Sequence, residues 1–202
     1  LAKAERAQGA NLTLSVGHGR IHRDHRADHR AEREEEGDGA THPHDERRGA
    51  LGLLLVVVGL SKNLKPKLAV LLDLARQAKA YDLNFTVDAE EADRLELSLD
   101  VIAAVFADPS LAGWSGFGLA IQAYQKRALA VIDWIDALAG SLGRTMMVRL
   151  VKGAYWDTEV KRAQERGLQD YPVFTRKAMT DLNYVACAER LLKARPRLYP
   201  QF

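Results

Sequence analysis

Short apolar runs alternate with amphipathic stretches from about residue 67 to residue 202, and this alternation constrains the fold more than any other feature. Apolar, partly β-branched runs predict strands, and apolar residues three and four apart predict helices. The predicted strands cover residues 83–88, 116–124 and 145–152, with a fourth from residue 197, and the predicted helices cover residues 67–81, 92–107, 128–142, 158–164 and 172–194. Such alternation predicts an α/β fold with a parallel sheet.

Polar residues follow each predicted strand, at residues 88–91, 122–127 and 149–156. In a (β/α)8 (TIM-type) barrel these positions form the catalytic face. The sequence lacks the glycine-rich loops of Rossmann and P-loop folds, which disfavours both. The 202 residues are fewer than the roughly 250 of a closed eight-fold barrel. We therefore expect a partial TIM-type barrel over residues 51–202.

The first 50 residues have a different composition, rich in His, Arg and Glu, and they hold all six histidines. Large apolar side chains are rare between residues 17 and 49, so little core can form, and we predict a disordered arm. His22, His25 and His29 could share a helical face, but they lack a known metal-finger spacing. Arginines in this segment could bind nucleic acid, but nearby glutamates cancel their positive charge. We expect neither a metal site nor nucleic-acid binding, and an altered reading of the coding sequence would also explain the segment.

The single cysteine, Cys187, lies in an apolar helical stretch, which predicts a buried thiol and is consistent with a reducing compartment. The longest apolar run, residues 51–60, is far shorter than the roughly 20 residues that span a bilayer. Within that run, residues 53–58 predict a buried strand. The N-terminus lacks the layout of a signal peptide, so we expect a soluble, cytoplasmic protein.

Four polar residues stand out near the predicted strand ends. Asp88 ends a strand and would point into the mouth of a barrel, so we expect it to be functional. Glu90 and Glu91 could act as paired carboxylates, but we favour the first turn of the next helix, where negative charge complements the helix dipole. Gln122 lies in an apolar strand, where its amide serves either the core or a planar heterocycle.

The strongest cluster runs from residue 149 to residue 156. Arg149 lies among apolar neighbours, and a buried guanidinium needs an anion or electron-rich acceptors opposite it. Lys152 and Gly153 follow at the strand end, where glycine lets the backbone approach a ligand. Tyr155 and Trp156 could wall a cofactor, although a solvated lysine and core aromatics are simpler explanations. Lys152 also permits Schiff-base chemistry, as in class I aldolases.

Four segments, residues 84–94, 121–127, 149–157 and 171–177, together resemble the proline dehydrogenase domain of the bacterial bifunctional enzyme proline utilization A. Their order and spacing match the family, and the resemblance covers about residues 67–202. It implies a distorted β/α barrel that holds FAD. It also implies oxidation of L-proline to Δ1-pyrroline-5-carboxylate by hydride transfer to flavin N5.

The resemblance further implies roles for individual residues. The catalytic candidates are Asp88, which would organise the substrate pocket electrostatically, Arg149, which would lie near flavin N5 and favour the reduced form, and Tyr155. Ala154 and Tyr155 would face the proline. The residues implied to contact FAD are Gln122, Arg149, Lys152, Gly153, Ala154, Trp156, Thr175, Arg176 and Lys177.

Two parts of the family pattern are missing from the sequence match. A strand with a lysine that contacts the proline carboxylate is not found in residues 1–60, and the family's arginine pair would follow residue 202, so we expect an incomplete fragment. The resemblance implies a linked aldehyde dehydrogenase domain in the longer protein and weak membrane or quinone association in the family. The alternative functions are a non-catalytic flavin-binding or interaction remnant and a Schiff-base lyase that uses Lys152.

Overall fold

The computed structural model describes the backbone of residues 11–14, 21–24 and 64–202, and the side chains from residue 66 onwards. The predicted strand at residues 53–58 and the side chains of His22, His25 and His29 lie outside the described residues. Elsewhere in the predicted arm, residues 11–14 and 21–24 form two short strands.

The described residues form six strands and five α-helices, and every element predicted between residues 67 and 202 is present. In chain order they are β1 (Asn11–Leu14), β2 (Ile21–Asp24), α1 (Leu64–Ala80), β3 (Asn84–Val87), α2 (Leu95–Phe106), β4 (Phe117–Gln122), α3 (Ala128–Ser141), β5 (Met146–Val151), α4 (Trp156–Glu165), α5 (Lys177–Lys193) and β6 (Leu198–Gln201). The 3-10 helices Ala92–Arg94 and Pro109–Leu111 precede and follow α2.

The strands form one sheet in the order β2-β1-β3-β4-β5-β6. Strand β1 pairs antiparallel with β2, while β1, β3, β4, β5 and β6 run parallel to one another. This confirms the predicted α/β fold with a parallel sheet. Because parallel strands end at the same edge, the polar residues that follow β3, β4 and β5 meet at the carboxyl edge of the sheet.

Aromatic packing fills the amino ends of the strands. The ring of Phe117, at the start of β4, lies 6.1 Å from that of Phe85 in β3 and 6.0 Å from that of Phe106 at the end of α2. All three side chains are fully buried. The apolar core therefore occupies the space between the sheet and its helices, and the polar residues are left to the carboxyl edge.

Helix α5 begins at Lys177, so the prediction of a helix from residue 172 is wrong for its first five residues. The backbone N–H of Lys126 donates to Pro172 O at 3.0 Å, and that of Phe174 donates to Tyr124 O at 2.8 Å. These bonds, together with a β-bridge between Val173 and Gln125, hold residues 171–176, here called the strap, against the turn after β4. No helix among residues 64–202 is long and apolar enough to cross a membrane.

Candidate active site

Asp88 and Arg149 meet at the carboxyl edge, although they come from strands that are not neighbours. Asp88 follows β3 and Arg149 lies in β5, and Arg149 NH2 donates to Asp88 Oδ1 at 2.5 Å. The two side chains keep 39% and 28% of their surface exposed. The pair is therefore fixed by a protein contact and still partly accessible to solvent.

Gln122 is buried and spans the loops on either side of its strand. Its Nε2 donates to the backbone carbonyl of Glu90 at 2.8 Å, and its Oε1 accepts from the backbone N–H of Ala154 at 2.9 Å. Both ends of the amide thus have backbone partners. Gln122 joins the turn after β3 to the loop after β5. From the sequence, its amide could serve either the core or a planar heterocycle, and the structure shows both ends of the amide bonded to backbone groups.

Residues 88–93 form a turn rich in carboxylates, here called the acidic turn. Glu90 is 7% exposed, and Tyr155 donates its hydroxyl to Glu90 Oε2 at 3.4 Å. Burial and then the negative charge of Glu90 raise the pKa of the Tyr155 phenol. The first 3-10 turn begins at Ala92, with Glu91 as its N-cap residue, so the expectation that both glutamates lie in a helical first turn is wrong.

Two lysines and one aspartate lie where the strap joins α5. Lys152 Nζ contacts Asp181 Oδ1 at 2.6 Å, and Lys177 Nζ contacts Asp181 Oδ2 at 2.5 Å. These contacts lower the pKa of Asp181, and Asp181 in turn raises the pKa of Lys152. Helix α5 has no acidic residue in its first turn and no side-chain cap at Arg176. With two cations to one carboxylate, this helix start suits an anion.

Two aromatic side chains lie near the loop that follows β5. Trp156 is 42% exposed and donates its indole N–H to Phe174 O at 2.9 Å, so the strap holds it in place. Tyr124 is buried beneath Gly153, and a Cβ on Gly153 would lie 2.4 Å from its ring. Gly153 also has a φ of +138°, which L side chains rarely adopt. Sequence reasoning missed Tyr124 because one aromatic after an apolar strand carries no specific signal.

On the side of β3 away from β4, the neighbouring strand is β1, whose four residues are Asn-Leu-Thr-Leu. Thr13 is opposite Thr86 in the register of the two strands. The lysine that the resemblance implies for an earlier strand is therefore not found in β1. A cavity of about 30 Å³ lies behind the carboxyl edge, lined by Asp88, Glu90 and Gln122 among others. It has room for one or two waters, so a larger ligand would bind on the open edge.

Comparison with known proteins places these features in a family. The sequence model of the proline dehydrogenase family matches residues 3–202, well beyond the residues 67–202 of the resemblance. The chain is 55% identical over 141 residues to the bifunctional protein PutA of Salmonella typhimurium. The matched region covers 70% of this chain and 10% of that protein. The chain thus spans about a tenth of the length of the bifunctional relatives that it matches.

Solved structures agree in sequence and in fold. A bifunctional proline utilization A (PutA) protein superposes with a TM-score of 0.70 and 59% identity, over 95% of this chain and 16% of the other. A PutA with proline bound in remote sites superposes with a TM-score of 0.67 and 70% identity, over 80% of this chain and 16% of the other. Because the family model covers nearly all of its residues, the chain belongs to the proline dehydrogenase family, a family of oxidoreductases.

Proposed function

We propose that this chain forms part of the active site of an FAD-dependent proline dehydrogenase, which oxidises L-proline to Δ1-pyrroline-5-carboxylate. The observation that carries the proposal is the meeting of Asp88, Arg149 and Tyr155 at one open strand edge, in a chain of this family. The chain spans only part of its relatives, so the substrate and the activity of the longer protein belong to the same proposal.

The residues at the carboxyl edge fit an elongated anionic cofactor such as FAD. The half-exposed indole of Trp156, at the start of α4, offers a flat apolar surface, and Arg149 in β5 offers a cation at the same edge of the sheet. Further along, the start of α5 with Arg176 and Lys177 offers cations and helix N–H groups for phosphates. When bound, FAD would supply the acceptor, at N5, for the hydride that leaves proline.

The residues of this chain would then prepare the site for that transfer. Arg149 would place positive charge near the flavin ring, and Asp88 would fix the direction of the guanidinium through their ion pair. Ala154 and Tyr155 would face the substrate, with Tyr155 held by Glu90. Gln122 would set the distance between the acidic turn and the loop after β5. One of its two side-chain N–H groups is bonded to Glu90 O, so only the other could reach the flavin edge.

The Schiff-base alternative is weaker in this structure. A lysine attacks a carbonyl as the neutral amine, which requires a lowered pKa. Contact with Asp181 instead raises the pKa of Lys152, so the ammonium form persists at neutral pH. We also propose that the longer protein carries a linked aldehyde dehydrogenase domain, because its relatives are named bifunctional, and that it is cytoplasmic.

Flavin content and proline oxidation test the proposed function together. We expect the purified chain to carry or take up FAD with the absorbance of a bound flavin. We expect Arg149→Met to weaken that binding by roughly 10- to 150-fold, since a charged contact contributes about 1.5–3 kcal/mol. Arg76→Met is the matched control, because Arg76 lies on α1 and pairs with Asp108. Dye-coupled proline oxidation measures turnover. A chain that binds no flavin at saturating FAD would overturn the proposal.

A further inference from the structure

Helix α4 presents three polar side chains to the acidic turn. Glu159 and Arg162 lie in the helix, and Arg166 directly follows its last residue. Their spacing of three and four residues places the three side chains on one face. Their contacts reach three successive residues of the turn: Glu159 Oε1 accepts from Ala92 N at 2.5 Å, Arg162 NH2 lies 3.5 Å from Glu91 Oε1, and Arg166 NH1 lies 2.7 Å from Asp93 Oδ2.

Glu159 differs from the other two residues in its burial. It is 3% exposed, whereas the side chains of Arg162 and Arg166 are 38% and 53% exposed. Exposed ion pairs contribute little, but a hydrogen bond between a buried carboxylate and a backbone N–H is strong. Burial also raises the pKa of Glu159. The contact with Ala92 is therefore the part of this interface that fixes the turn.

The N–H of Ala92 opens the 3-10 helix that leads into α2. Its N-cap residue, Glu91, makes no side-chain cap. Glu159, 67 residues further along the chain, supplies the missing acceptor. The acidic turn is thereby held at its far end by α4, in its middle by the contact of Gln122 with Glu90 O, and at its near end by β3.

We propose that Glu159 is a positioning residue, which holds the acidic turn through Ala92 so that Asp88 stays against Arg149. Asp88 and Arg149 belong to strands separated by β4, so their contact depends on where the turn is held. Helix α4 also begins directly after Tyr155, so the same contact sets the loop that carries this phenol. The role of the Asp88–Arg149 pair rests on the proposed function, whereas the contact by which Glu159 holds the acidic turn does not.

Hydrogen exchange of the acidic turn tests the hold directly. In Glu159→Ala we expect the amide of Ala92 to exchange about tenfold faster or more, because a charged hydrogen bond is lost. Glu159→Gln keeps an acceptor oxygen but loses the charge, so its Ala92 amide should exchange at a rate between those of the unaltered chain and Glu159→Ala. Glu165→Ala, an exposed change on the same helix, is the control. Should Glu159→Ala not fold, Glu159→Asp keeps the charge, shortens the reach by one methylene and carries the same expectation.

A double-mutant cycle tests whether Glu159 acts through Asp88. In the FAD-loaded chain we expect both Asp88→Asn and Glu159→Ala to raise the flavin midpoint potential. Asp88→Asn removes the negative charge beside Arg149, and Glu159→Ala lets the acidic turn carry that charge away from Arg149. Adding Glu159→Ala to Asp88→Asn should cause little further shift. A shift of equal size in both backgrounds, or unchanged exchange at Ala92 in Glu159→Ala, would overturn the inference. If the chain binds no flavin, the proposed function fails, and the exchange result alone decides this inference.

Discussion

Gly153 shows how a residue without a side chain shapes the site. Its backbone passes directly over the ring of Tyr124, and its φ is +138°. The Tyr124 hydroxyl has no hydrogen-bond partner among the described residues, and burial followed by the charge of Glu159 raises the pKa of the phenol. The loop from residue 152 to residue 155 can therefore lie close to the turn after β4 only when residue 153 is glycine.

Replacing Gly153 by alanine should disturb this contact. We expect Gly153→Ala to lower the free energy of unfolding by about 2–4 kcal/mol, through backbone strain and overlap with the Tyr124 ring. Gly167→Ala is the matched control, because Gly167 has a φ of +60° and no atom within 4 Å of the added Cβ. It should cost about 1 kcal/mol. Urea unfolding of both variants measures the difference, and equal costs would contradict the role given to Tyr124.

At this scale the sequence predicts identities better than partners. Asp88 and Arg149 could be selected because each is polar at the end of an apolar strand, and the structure brings them together. Glu90 could be noted only as one of several carboxylates before a predicted helix. Glu159 could not be selected at all, because it lies in the first turn of α4, where an acidic charge needs no further explanation. Their roles depend on contacts between residues 65 and 67 positions apart.

At the scale of elements, Asp136 joins α3 to α5 and to the turn before β6. Its carboxylate accepts from Arg197 Nε at 2.8 Å and from Arg190 NH2 at 2.9 Å. The hydrogen bond from Arg197 and then that from Arg190 hold the pKa of Asp136 below its ordinary value of 3.8. Asp136 is nearly buried, so these two hydrogen bonds fix how α5 packs on α3.

Asp136→Asn should lower stability by about 1–2 kcal/mol at neutral pH, because both arginines are partly exposed and screened. The stabilisation is present above the ordinary pKa and is lost as the pH falls through the lower pKa of the folded state. The variant and the unaltered chain should therefore differ most above about pH 5 and converge in acid. Urea unfolding across this range measures it. Asp133→Asn, an exposed partner of Arg190, is the control and should change little.

The elements between residues 83 and 151 follow the predicted bounds to within three residues, and the largest difference is the start of α2, where a 3-10 helix occupies Ala92–Arg94. Helix α5 begins five residues later than predicted, because the residues of its predicted first turn form backbone hydrogen bonds with the turn after β4. A proline and apolar residues at helical spacing predict a helix there, and backbone bonds to residues 124 and 126 outweigh that preference. Strand β1 could not be predicted, since four residues with two apolar side chains carry too short a pattern.

At the scale of the whole molecule, helix α5 leaves apolar side chains uncovered. Leu182 and Val185 are each 63% exposed, and Met179 and Leu192 lie on the same helix with 44% and 51% exposed. Exposed apolar side chains gathered on one helix favour association with other surfaces in water. The family relationship and the β/α pattern predict a partial barrel, but they do not by themselves show which face stays uncovered.

Self-association of the chain should therefore depend on α5. We expect sedimentation velocity to show concentration-dependent assembly, and Leu182→Lys to reduce it, since the substitution places charge on the apolar surface. Gln169→Lys adds the same charge at an exposed position away from α5 and should leave assembly unchanged. Equal effects of the two changes would indicate that net charge, and not the exposed helix face, controls association.

The separation along the chain of the residues that meet at the acidic turn has a consequence for the order of folding. Asp88 and Arg149 are 61 positions apart, Glu90 and Tyr155 are 65, and Ala92 and Glu159 are 67. Contacts this distant form only after the intervening β/α units have collapsed, because closing the loop between them costs entropy first. The site is thus expected to be among the last parts to become ordered as the chain folds, and kinetic traps would leave it unformed.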